Sequence, residues 1–196
     1  MTRCRGLPAL KESFVGLLSL IRRGRHERVG FELYGAAVAA ARDPFFYTAL
    51  GVPDTLDGRF DMVSLYTFLL IQRLKREPPP GPALAQAVFD AMFSDMDVNL
   101  REMGVGDLSV GRKMRVMWEA FHGRSAAYAA ALNVSDMAAL DAALIRNVWR
   151  GNPPPNDATS SLRRVVVAQD THLSTQDLAT LTHGSISFLR AEEVRQ

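Results

Sequence analysis

The sequence predicts an all-α fold: a compact multi-helix domain with short loops, followed by a loosely attached C-terminal helical tail. Three observations carry this. Apolar residues recur at spacings of three and four along most of the chain. Asp-Pro, Gly and Pro-rich breaks fall at helix-length intervals. Strand-like alternation is confined to one short stretch, Ser185-Ile-Ser-Phe-Leu189. Helices joined by short loops with no strand pattern must bury their apolar faces on one another. The length of 196 residues, with 47% hydrophobic and 22% charged side chains, fits one domain with a modest appendage.

Pro8 stands at a first helical position and Gly24 at a stop, which marks a basic amphipathic helix within residues 1–25. Residues 1–30 carry seven basic side chains against two acidic ones. Phe14, Leu17, Leu18 and Ile21 share one face, and Arg22, Arg23 and Arg25 follow it. That pattern suits contact with an anionic membrane surface. A first helix that simply covers the core shows the same face and is the commoner case.

A helical domain is expected over residues 26–151. Its first helix runs from 27 to 42 and carries small side chains at 35–41, which permit close helix approach. Asp43-Pro44 restarts a helix, with Asp as cap and Pro in the first turn. It ends at Gly51, and a loop follows in which Asp54 or Asp57 can cap the next helix. Residues 59–76 are apolar around most of the helix circumference, so this helix is central and buried. Glu77-Pro-Pro-Pro-Gly-Pro82 breaks it. The next helix, 83–103, places Phe89, Phe93, Met96, Leu100 and Met103 on one face. A Gly104–Asp107 turn leads to a helix that Ser109 can cap and that ends at Leu132. Ser135 or Asp136 starts another, to about Arg150. Residues 152–157 form a Pro-rich linker. In the tail, 158–196, a helix to about Asp170 precedes Ser174-Thr-Gln-Asp177, a capping box.

Composition excludes several classes of function. One cysteine, Cys4, rules out an internal disulfide and any multi-cysteine metal site. A net charge of +2 is too balanced for a general nucleic-acid binder, and no specific nucleic acid is expected. The four histidines lie on separate segments without a zincin spacing, and there is no phosphate loop or nucleophile elbow. No catalytic residue, metal or cofactor is therefore assigned. Asp95-Met-Asp97-Val-Asn99 opens like a calcium loop, but that loop needs Gly and Glu where Leu100 and Gly106 stand.

Two polar elements remain. Residues 90–107 hold five acidic side chains against Arg101, and Arg112, Lys113 and Arg115 follow across the turn. An acidic helix before a basic helix start is expected to pair with it as an antiparallel hairpin, with Asp95 partnered from that side. Such a cluster serves either as a fold-fixing ion-pair network or as a polar binding surface. In the loop 52–60, Arg59 sits unfavourably at a helix start and calls for a specific carboxylate partner.

These segments resemble the ubiquinol–cytochrome c chaperone family, which is related to the yeast chaperone for cytochrome b. The carrying motifs are RDPFFYTALGVPDTLDGRFD at 42–61, FDAMFSDMDVNLREMGVGD at 89–107, VGRKM at 110–114 and FHGRSAAY at 121–128. They cover residues 30–150, and the Arg- and Ala-rich composition looks like the bacterial branch. The resemblance implies an all-helical, non-enzymatic chaperone that binds newly made cytochrome b or another component of the bc1 complex. In mitochondria such proteins act with a small partner protein, which nothing in this chain identifies. On this reading the partner-binding residues are Tyr47, Pro53, Asp54, Arg59, Asp95, Asp97, Arg101, Glu102, Arg112, Lys113 and Arg124. The expected location is the cytoplasm, peripheral on the inner membrane. The alternatives are a helical carrier or enzyme for a quinone, haem precursor or lipid, and a peripheral membrane adaptor.

Overall fold

A computed structural model describes the backbone of residues 9–195 and the side chains of residues 24–194. The helices are α1 (Ala9–Ala41), α2 (Pro44–Thr48), α3 (Leu56–Lys75), α4 (Gly81–Glu102), α5 (Asp107–Asn133), α6 (Met137–Val148), α7 (Ala158–Ser174) and α8 (Leu178–Leu181), with a closing 3-10 turn at Glu193–Arg195. No strand occurs among the described residues, and the all-α expectation holds.

Helix α3 is the axis. Every residue from 61 to 74 is buried, as its all-round apolar sequence requires. Helices α1, α4, α5, α6 and α7 all pack against it. Two of them, α1 and α4, approach each other closely at Gly30, where a Cβ would lie 2.7 Å from the Ala87 carbonyl. The approach therefore depends on Gly30, upstream of the small-residue stretch that the sequence singles out.

Helix starts follow the predicted chemistry in part. Asp43 caps α2 by accepting from Phe45 N at 2.9 Å, and Asp136 caps α6 through Ala139 N at 2.9 Å. Helix α3 is capped by Thr55, which accepts from Gly58 N, and not by Asp54 or Asp57. Its first turn closes over Pro53, whose carbonyl would collide with any Cβ at Gly58. Gly106, not Ser109, precedes α5, and the expected capping box at Ser174 is not made.

Gly24 does not stop a helix. Helix α1 runs unbroken for 33 residues, across the expected boundary at residue 25. A glycine inside a helix costs only about 1 kcal/mol, too little to end one that continues into a buried face. Arg25 is exposed. The side chains of Phe14, Leu17, Leu18, Ile21, Arg22 and Arg23 lie outside the described residues.

The segment after the Pro-rich linker is not a loose tail. Leu162, Val165, Val166, Leu173, Leu181 and Ala191 join the main core. Arg73, buried on α3, donates from Nε to Leu173 O and from Nη2 to Gln176 O, both at 2.7 Å, and so caps the end of α7. The alternating stretch 185–189 takes no regular secondary structure and pairs with no strand. Two glutamine side chains take the strand's place: Gln169 exchanges hydrogen bonds with the Leu189 backbone, and Gln176 with that of Ser187.

Candidate partner-binding groove

Helices α4 and α5 form a hairpin that opens towards the start of α3 and the end of α6. The opening is a groove of about 590 Å³. Spacing builds both walls. On α5, Arg112, Lys113, Val116, Met117, Ala120 and Arg124 recur at three and four residues and face it together; on α4, Met96, Asn99, Leu100 and Met103 do the same. Gly104, at φ +78°, turns the chain between them. Helix α5 stands mostly clear of the core: of its 27 residues only Val110, Phe121, Tyr128 and Ala131 are buried.

Asp61 forms the floor and is 1% exposed. Arg124 donates to one carboxylate oxygen at 2.6 Å, and Arg150 reaches the other at 3.1 Å. Arg124 also lies over the Phe60 ring, 5.3 Å from its centroid. Burial pushes the Asp61 carboxyl above the ordinary carboxylate value, while both guanidiniums pull it back. Arg150 takes a left-handed backbone, φ 55°, which turns its side chain onto Asp61 and Asp57.

The expected partner-binding residues divide. Arg112, Lys113 and Arg124 line the groove. Pro53 and Asp54, in the loop before α3, and Arg59, in its first turn, stand beside the groove, which Leu56 and Asp57 line. There Arg59 finds the carboxylate partner it calls for, Asp54, at 2.6 Å on the exposed surface. The Arg59 hydrogen bond holds the Asp54 carboxyl below its ordinary value. Tyr47 is half-buried and donates to Ala41 O at 3.1 Å; burial raises its hydroxyl pKa.

The expected α4–α5 ion-pair network is not the one that forms. Asp95 sits on the α1 side of α4, where it accepts from Tyr34 Oη at 2.8 Å, so no cation from α5 reaches it. Arg115 pairs instead with Glu119 on its own helix. The ionic link across the turn has the opposite polarity: Arg101 of α4 binds Asp107 of α5 and, at 2.6 Å, Asp97. Asp97, Arg101 and Glu102 do not line the groove.

Sequence reading missed Asp61, Arg146 and Arg150, which do line it. One signal was present: Asp61 is a carboxylate at the head of the uncharged apolar run 62–71, where it is costly unless partnered. On the other side of α5 a second recess, about 770 Å³, is walled by Phe68, Phe89, Trp118 and Phe121. Among the described residues there is no cluster of His, Cys, Asp or Glu able to hold a metal. No described helix is long and apolar enough to cross a membrane.

The fold and site thus define a helical domain with an open, largely apolar groove over a charged floor. The chain belongs to the ubiquinol-cytochrome C chaperone family, whose model matches residues 48–188. That span extends past the linker to Phe188, consistent with the packed C-terminal segment. The chain is similar to the ubiquinol-cytochrome-c reductase complex assembly factor 1 of Xenopus laevis, 28% identical over 103 residues. The match covers 53% of this chain and spans about half, 51%, of that relative. The crystal structure of the Cbp3 homolog from Brucella abortus superposes with a TM-score of 0.78 at 38% identity, over 90% of this chain and 98% of that one.

Proposed function

We propose that this protein is an assembly chaperone for the ubiquinol–cytochrome c reductase (bc1) complex and that its client is newly made cytochrome b. It acts by binding, without catalysing a reaction, and works at the cytoplasmic face of the inner membrane. The single observation that supports this best is the groove between α4 and α5. It is apolar inside, open along its length and fixed in shape by the Asp61 ion-pair cluster, and it lies wholly within the family-matched residues 48–188. A client with apolar membrane helices needs such a surface until its own partners arrive. The basic N-terminal stretch, with seven cations in the first 30 residues, suits a site of action beside anionic lipid.

Affinity capture of the tagged chain from detergent-solubilised membranes of the native host tests the reading. Cytochrome b is expected in the eluate, and deletion of the gene is expected to lower the bc1 haem signal. A deletion strain with normal bc1 content would sink the proposal.

A further inference from the structure

We propose that the α4–α5 groove receives an amphipathic helix of a partner polypeptide whose apolar stripe is flanked by acidic side chains. Three features of the groove point there.

The first is charge. Five cations and two carboxylates line the groove. Both carboxylates are already taken: Asp61 binds Arg124 and Arg150, and Asp57 binds Arg150 at 3.1 Å. Arg112, Lys113 and Arg146 make no ion pair among the described residues. At the floor, Arg124 Nε is buried without a hydrogen-bond partner. Unmatched cations around an apolar cleft fit an occupant with acidic edges.

The second is shape. From Arg112 to Arg124 the lining runs roughly 18 Å along α5, about three turns of a partner helix. Methionines 96, 103 and 117 line the walls, and their flexible thioethers mould to the side chains of a helix.

The third is extent. The apolar lining is open to solvent, with Leu56 59% exposed, Val116 60% and Met103 49%, and one turn before Arg112 on α5 Leu108, outside the lining, is fully exposed. A small molecule held at the floor leaves these residues bare, whereas a helix lying along α5 covers them. The biological meaning of this occupant rests on the chaperone reading above, but its chemistry can be measured on the purified chain alone.

The experiment uses three fluorescently labelled synthetic 14-residue peptides and the full-length protein. One carries Leu at i, i+3, i+4, i+7 and i+11 with Glu on both flanks. The second has Lys for every Glu, and the third Ser for every Leu. Anisotropy is expected to show binding of the Leu/Glu peptide alone, weakening as salt is raised. The variant Arg112→Glu/Lys113→Glu changes only exposed positions and is expected to keep its circular dichroism spectrum. It should bind that peptide roughly tenfold or more weakly. Equal binding of the Lys peptide, or unchanged binding by the variant, overturns the proposal. So does displacement of the peptide by phosphatidylglycerol vesicles that bind through the same two cations, because the occupant is then a lipid surface. The assay does not report on bc1 assembly, so a negative result here and a normal bc1 level in a deletion strain are separate failures.

Discussion

Arg124 reaches across 63 positions of sequence to donate to Asp61 at 2.6 Å. The bond ties α5, otherwise mostly exposed, to the buried axis α3. Arg150, just beyond the end of α6, holds the other carboxylate oxygen. Three helices thus converge on one carboxylate beneath the groove. Phe121, Tyr128 and Ala131, on either side of Arg124, pack the same half of α5 into the core, so the ion pair sits where the helix is anchored.

Removing the buried member of this cluster should cost far more than removing the exposed one. Arg124 is 10% exposed and Arg150 48%. Arg124→Gln leaves a buried carboxylate half-satisfied and is expected to lower stability by about 3 kcal/mol. Arg150→Gln loses a solvated contact and should cost about 1 kcal/mol or less. Urea unfolding of both variants checks the ranking, which equal costs would refute.

Two aspartates should titrate in opposite directions. Burial raises Asp61, so the folded state holds its proton more tightly than the unfolded chain does. Between the ordinary aspartate value of 3.8 and its own higher one, this group therefore adds stability as pH falls. Asp54 is lowered by Arg59, so its contribution is present above 3.8 and lost as pH falls through its folded value. Carboxyl carbon chemical shifts followed against pH should place the Asp61 midpoint above that of Asp54. In Arg59→Gln the Asp54 midpoint should return towards 3.8, while Asp61 stays where it was.

Gly24 and Gly30 share one helix and should respond to alanine with opposite sign. A Cβ at Gly24 meets nothing within 4 Å, so Gly24→Ala should stabilise the protein by about 0.5–1 kcal/mol through helix propensity. At Gly30 the added Cβ lies 2.7 Å from the Ala87 backbone, which cannot move aside as a side chain can. Gly30→Ala should cost about 1–3 kcal/mol. Thermal melts of the two variants distinguish a continuous α1 from one that ends at residue 24, where Gly24→Ala would gain nothing.

What the sequence made legible follows from the range of the forces involved. Local chemistry was readable: the Asp43 cap, a start for α6 at Ser135 or Asp136, the burial of α3 and the need of Arg59 for a carboxylate all depend on residues within a few positions of one another. The long-range pairings were not. Asp95 and Tyr34 lie 61 positions apart, and no spacing rule tells a helical carboxylate which neighbouring helix it will face. Lys113 was found through the charge pattern and Arg124 through motif resemblance, while Arg146 and Arg150 carried no local signal at all. Only the fold brings them to the groove. The Pro-rich linker misled for a related reason. Proline and glycine end a helix locally but say nothing about whether the chain beyond returns to the core.

The two glutamines beneath residues 185–189 give the sharpest test of that return. Gln169 is fully buried, and its amide donates to Leu189 O at 2.7 Å and accepts from Leu189 N at 3.1 Å. Gln176, more exposed, does the same for Ser187. Each side chain mimics one rung of a sheet, so the segment is ordered without a partner strand. Gln169→Ala strips the half-buried backbone N–H and C=O of Leu189 of their partners, leaves a gap where a fully buried side chain stood, and should cost about 2–3 kcal/mol. Gln176→Ala leaves groups that water can reach, and its cost should stay near 1 kcal/mol. Amide hydrogen exchange should show Leu189 speeding up in the first variant and Ser187 in the second. If residues 158–196 hung loosely on the helical body, both amides would already exchange freely in the unaltered protein and neither substitution would shift the melting temperature.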